Sequence, residues 1–135
     1  MGQPMRTLRV LVVEDDVMIG TLLAEMLTGM GHVCLIESTE AGAVATAARW
    51  RPQLMIVDVK LGVGSGVAAV EAITRDERAP TPHVFISGDI STVAAVRPGA
   101  VAIQKPFREP DLVRAMRRAV EGLPSIEVSR VPDGN

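Results

Sequence analysis

Three acids in a row, Glu14, Asp15 and Asp16, follow the apolar run Leu8 to Val13, and a fourth, Asp58, lies at the end of the apolar run Leu54 to Val59. Two carboxylates about 5 Å apart repel by roughly 3 kcal/mol at an effective dielectric of about 20. A pocket that gathers several must therefore raise a pKa or bind a cation. With carboxylate, carbonyl and water as the available ligands the cation is a hard one, and Mg²⁺ fits because it takes few carboxylates and keeps several waters. The triplet alone reads more readily as a helix N-cap with favourable charge at the helix dipole. Asp58 tips the balance, because a carboxylate ending an apolar strand has no capping role.

The basic residues point the same way. Of the 14 Lys and Arg residues only Lys60 and Lys105 are lysine, and both fall beside the proposed pocket. A compact ammonium reaches a phosphoryl oxygen as a point charge, where a guanidinium needs fork geometry and more room. Lys105 could equally neutralise surplus acid, and the two roles are compatible. Ser87 offers a hydroxyl for a phosphoryl oxygen, and Gly88 beside it leaves space for the group to enter.

These residues are far apart in sequence, so the elements must gather them. Short Val/Leu/Ile-rich runs alternate five times with helical stretches. The strands read as Leu8 to Val13, His32 to Glu37, Leu54 to Val59, His83 to Ile86 and Ala100 to Ile103. The helices read as Val17 to Thr28, Thr39 to Trp50, Val67 to Asp76, Ser91 to Val96 and Glu109 to Glu121. Asp16 caps the first helix, and Gly29 with Gly31 ends it. Near-continuous apolar strands alternating with helices call for an α/β fold, a parallel sheet covered on both faces. In such sheets sites form beyond the carboxyl ends of the strands, where the acids, Ser87 and Lys105 all fall.

Bulk properties close off other classes. The 135 residues suit one domain; 47% are hydrophobic, 22% charged and only 2% aromatic, so the core is aliphatic. A net charge of −2 excludes a polybasic nucleic-acid or membrane surface. No apolar run approaches a membrane span, and the start lacks a signal-peptide core. Cys34 is the single cysteine, so no intrachain disulfide forms, and a cytoplasmic setting is expected. Cys34 reads as a small core hydrophobe, His32 and His83 as surface or strand-end residues, and Trp50 as cover for the end of the second helix. Helix one is apolar around much of its circumference, which leaves a docking patch and a fully buried helix both open.

The motifs VVEDD, IVDVKLGVGSG, FISGD and QKPF stand in this order on the right elements, and with them the chain resembles the CheY-like receiver domain of two-component signalling. The resemblance covers residues 8–122, between an N-terminal tail (1–7) and a flexible C-terminal tail (123–135). It implies a flavodoxin-like (βα)5 doubly wound fold with strand order 2-1-3-4-5. Asp58 becomes the phosphoacceptor, Glu14 and Asp15 the acid pair holding Mg²⁺ with Asp58, and Lys60 a further ligand through its carbonyl. Ser87 and Lys105 take the hydroxyl and lysine roles, with the Lys105–Pro106 bond cis. The phosphoryl donor would be a histidine kinase or histidine phosphotransfer protein, and the protein a monomer or weak homodimer. The stretch after Leu123 is too short for an output domain, so a stand-alone regulator signalling by protein contact or onward transfer is expected.

Three features depart from the family pattern. Ala102 stands where an aromatic is usual, three residues before the lysine. The stretch from Ser87 to Lys105 is about one helical turn short, and Gly62 replaces a frequent proline. Lys60 and Asp89 would line the path of hydrolytic water, and Lys60 would slow hydrolysis of the phosphoryl group or simply be a solvated lysine. A flavin protein of similar topology is excluded, because Glu14-Asp15-Asp16 would repel its phosphate. An aspartate-nucleophile phosphatase wants an acid where Lys60 stands. A receiver-like interaction module that is never phosphorylated remains the alternative.

Overall fold

The computed structural model describes residues 6 to 122. Its elements are β1 (Arg9–Val13), α1 (Val17–Gly29), β2 (Val33–Glu37), α2 (Glu40–Trp50), β3 (Leu54–Asp58), α3 (Gly66–Thr74), β4 (His83–Ser87), α4 (Ile90–Val96), β5 (Ala102–Gln104) and α5 (Glu109–Glu121). The five strands form one parallel sheet in the order β2-β1-β3-β4-β5, as the resemblance implied.

The two-residue period of the strands divides the core into two layers. Val10 and Val12 of β1, Leu54 and Ile56 of β3, and Val84 and Ile86 of β4 pack with Leu23 and Leu27 of α1 and Leu112, Ala115 and Met116 of α5. Leu11, Val13, Met55, Val57 and Phe85 face the other way, against Ala43 and Ala47 of α2, Ala69 and Val70 of α3, and Val93 of α4. Burial on both faces explains why the central strands read as unbroken apolar runs. Each loop at the site edge therefore hangs from a strand fixed on both sides.

Most boundaries differ from the sequence reading by a residue or two. Thr39 is the N-cap of α2, accepting from the Gly42 amide, and does not belong to the helix itself. Gly29 lies within α1, and the chain reverses at Gly31, whose φ of 94° suits glycine. Strand β5 starts two residues late, at Ala102, and α4 has only 7 residues, matching the short stretch noted in the sequence. Cys34 is half-buried on the edge strand β2, so it packs against the core without entering it. His32 stands at the strand end, directly before β2, and is buried rather than on the surface; its Nδ1 accepts from the Leu8 amide at 3.0 Å, and burial holds its pKa below the usual value. Trp50 packs at the end of α2 as expected. The expected flexible tail (123–135) lies outside the described residues.

Helix α1 is not wholly buried. Gly20, Leu23 and Leu27 face the sheet. Val17, Met18 and Leu22 stay 80%, 81% and 44% exposed, which removes the buried-helix alternative. Among the described residues no helix is long and apolar enough to cross a membrane.

Candidate functional site

Glu14, Asp15, Asp16, Asp58, Lys60, Ser87, Gly88 and Lys105 line one cleft of about 280 Å³ at the carboxyl edge of the sheet. All the candidates read from the sequence therefore meet there. Parallel pairing does the gathering: Asp58 sits beside Ile86 in the β3–β4 register, and the Lys105 amide donates to the Ser87 carbonyl at 2.8 Å.

The acidic triplet divides its duties. Asp16 is the N-cap of α1, its Oδ1 accepting from the Met18 and Ile19 amides at 2.9 and 3.1 Å, so the capping reading holds for that residue. Glu14 is buried and Asp15 exposed, and each turns a carboxylate oxygen to the cleft. One carboxylate oxygen from each of Glu14, Asp15 and Asp58 falls within 4.8 Å of the others. That spacing suits a shared hard cation.

Lys105 lies over this group. Its Nζ donates to Asp58 Oδ2 at 2.6 Å and stands 3.8 Å from Glu14 Oε1. The other oxygen of Asp58, Oδ1, accepts from the Lys60 amide at 2.9 Å. Glu14 Oε2 accepts from the Asp16 amide at 3.0 Å, whereas Oε1 is buried and accepts no hydrogen bond. Burial pushes the Glu14 carboxyl up to about 7, against the pull of the Asp16 amide and with further help from Asp58. Burial alone would lower the Lys105 pKa, but its hydrogen bond and charge pairing with Asp58, and the charge of Glu14, raise it on balance. The ammonium is thus held protonated against the acids. An orphaned buried carboxylate oxygen beside two further carboxylates fits a divalent cation.

Ser87 ends β4 at the cleft, but its hydroxyl is engaged locally. It donates to the Asp89 carbonyl at 2.9 Å and accepts from the Asp89 amide at 3.0 Å. Asp89 caps α4 through the Ser91 amide, so it serves the helix and Lys60 alone of that pair lines the cleft. The Lys105–Pro106 peptide is cis. Sequence reading missed the Gly62 amide, which donates to Asp15 Oδ2 at 2.7 Å. A backbone donor leaves no side-chain signature; the only clue was a glycine where proline is usual.

With this geometry in place, the sequence profile of the response regulator receiver domain matches residues 10–117. The chain belongs to the receiver-domain family of two-component response regulators. It is 37% identical over 120 residues to the nitrogen assimilation regulatory protein NtrX of Azorhizobium caulinodans, covering 84% of this chain and 26% of that one. It is 35% identical over 115 residues to the transcriptional regulatory protein PdtaR of Mycobacterium tuberculosis, covering 83% and 56%. The crystal structure of the receiver domain of NtrX from Brucella abortus superposes with a TM-score of 0.74 at 34% identity, covering 83% of this chain and 98% of that one. The chain thus spans between about a quarter and just over half of the length of these two curated relatives.

Proposed function

We propose that this receiver domain is a stand-alone phosphorylation switch in which Asp58 accepts a phosphoryl group with the help of Mg²⁺. The observation that carries the reading is the ammonium of Lys105 at 2.6 Å from Asp58 Oδ2, inside a cleft lined by acids from two other strand ends. A structural ion pair needs no cluster of further carboxylates around it, and this one leaves a buried Glu14 oxygen without a hydrogen bond.

Glu14, Asp15, Asp58 and the carbonyl of Lys60 would hold the cation. When bound, Mg²⁺ supplies positive charge against the oxygens of the transferring group. Asp58 is the nucleophile: its carboxylate oxygen bonds to the phosphorus of a phosphohistidine as the P–N bond breaks. The electron pair of the broken bond stays on the donor nitrogen, the imidazole leaves neutral with a proton taken up from solvent, and the product is an aspartyl phosphate. Lys105 keeps its charge beside the same oxygens, so it can transfer its contact from carboxylate to phosphoryl group. Ser87 would leave the Asp89 carbonyl to donate to the new group, which couples the chemistry to the start of α4. Water later cleaves the acyl phosphate and restores the carboxylate.

The donor would be a histidine kinase or histidine phosphotransfer protein. Val17, Met18 and Leu22 of α1 stand exposed on the helix that Asp16 of the cleft caps, and offer it an apolar footing. Acetyl phosphate with Mg²⁺ tests the chemistry by intact mass. Wild type gains one phosphoryl group, chelation of the metal before labelling prevents the gain, and Asp58→Asn gains none. A folded wild type that stays unmodified, with acetyl phosphate and with a phosphohistidine donor alike, would instead be a receiver-like interaction module.

A further inference from the structure

The loop between β3 and α3 is tied at both ends to groups outside itself. At its base Lys60 and Ser65 form an antiparallel bridge. On one flank the Ser65 amide donates to Oε1 of Glu40, the first residue of α2, at 3.0 Å. Gly64, with φ of 89°, lies so close to that residue that a Cβ there would stand 2.6 Å from the Glu40 Cβ. On the other flank the Gly62 amide donates to Asp15 Oδ2 at 2.7 Å, and a Cβ on Gly62 would stand 2.8 Å from the same oxygen.

Asp15 is exposed, and apart from this amide no hydrogen bond holds its carboxylate among those recorded for the described residues. A free aspartate at that place would sample several rotamers and would drift from Glu14 and Asp58, which repel it. A charge-assisted bond from a backbone amide counters both tendencies. Proline at position 62 would remove the donor, and any Cβ would crowd the acceptor.

We propose that Gly62 is a positioning residue whose backbone amide fixes the Asp15 carboxylate for divalent-cation binding, and that Glu40 holds the loop so that this amide lies where Asp15 needs it. The inference rests on the metal-binding reading given above. Partners that orient a metal ligand typically change affinity by about 10 to 100-fold when lost. Gly62 and Glu40 therefore set the cation affinity without touching the cation.

Calorimetric titration of the unphosphorylated protein with Mg²⁺, together with melting of the metal-free protein, tests this. Asp15→Asn is the control: if wild type does not bind, or Asp15→Asn binds as well as wild type, the metal-binding reading itself fails. With that control passed, Gly62→Pro should weaken Mg²⁺ by about tenfold or more while the metal-free melting temperature holds. Glu40→Ala should weaken it less, and Glu40→Gln, which keeps an acceptor for Ser65, should restore it. Unchanged affinity in Gly62→Pro overturns the proposal. If Gly62→Pro melts early, hydrogen exchange of the Gly62 amide in wild type and Asp15→Ala decides. Protection in wild type that Asp15→Ala abolishes supports the proposal, and an amide exchanging freely in wild type overturns it.

Discussion

The cleft has two halves held by different kinds of contact. On the acid side the decisive bonds, Lys105 to Asp58 and Gly62 to Asp15, each join residues 47 apart in sequence. On the α4 side the Ser87 hydroxyl bonds only to Asp89, 2 residues on, and the Asp89 carbonyl also takes the Thr92 hydroxyl at 2.8 Å. One half depends on the sheet bringing distant strands together, and the strands that carry its acids are buried on both faces. The other is a polar turn held mainly by bonds between near neighbours, tied to β5 through the Ile90 amide and Gln104 Oε1 at 3.4 Å, and leading to a helix of 7 residues. The acid cluster thus hangs from strands buried on both faces, while the turn after β4 rests mainly on local bonds that can exchange singly.

Removing one group from each half should break this comparison if it is wrong. Lys105→Ala takes away the charge beside Asp58, and the rate of labelling by acetyl phosphate should fall by about 10² to 10³. Ser87→Ala should cost less, because its hydroxyl is committed to the Asp89 backbone before transfer. Mass-spectrometric time courses of the two variants give the ratio, and equal losses would erase the distinction between the halves.

The next largest effect is on pH. Glu14 has its pKa pushed up to about 7 by burial, from an ordinary value near 4.5. The folded metal-free protein therefore holds a proton there that the unfolded chain has released. Its stability should decline as pH rises from about 4.5 to about 7, and Glu14→Gln should flatten that part of the profile. A cation must displace the same proton, so Mg²⁺ affinity should fall below about pH 7 by up to about tenfold per pH unit. Titration calorimetry in buffers of different ionisation enthalpy would count the proton released. An affinity flat through this window would mean that Glu14 is already ionised in the metal-free protein or is not a ligand, and the effect of Glu14→Gln on affinity separates the two.

The same division explains what the sequence made legible. Strand runs bounded by acids, Ser-Gly and Lys-Pro located every side chain of the cleft, because apolar strands buried on both faces leave a plain signature. That Asp16 caps α1 was legible, because it stands directly before the first helical residue, and its carboxylate does accept from the Met18 and Ile19 amides. His32 does stand at a strand end, one of the two places its type suggested, but that its ring serves as the partner of the Leu8 amide was not legible. The Gly62 and Lys60 amides act through the backbone, where residue identity says little. The exposed side of α1 was ambiguous because an apolar helix looks the same buried or bare until its neighbours are placed.

Restoring the usual aromatic would sharpen the comparison further. Ala102 is buried among Phe85 and Val93, so Ala102→Tyr must displace packed atoms. Overpacking of this kind costs about 1–3 kcal/mol, readable as a lower urea midpoint. Labelling of Asp58 should change little, since the acid half does not lean on this residue. A stabilised variant would mean that the space above Ala102 is open and that the α4 side is less self-contained than its bonds imply.

The smallest effect expected is at Lys60, whose side chain is exposed where the residue lines the cleft. Its backbone amide holds Asp58 Oδ1 in any variant, so truncating the side chain tests charge alone. A unit charge about 8 Å from another in water is worth roughly 0.5 kcal/mol, or about twofold in a rate. Lys60→Ala should therefore shorten the lifetime of the aspartyl phosphate by about that factor, with the difference fading in high salt. A loss of lifetime far beyond this would require the ammonium to contact the phosphoryl group, which would extend the long-range half of the cleft by one more residue. An unchanged lifetime would leave Lys60 acting through its backbone only, as Gly62 does.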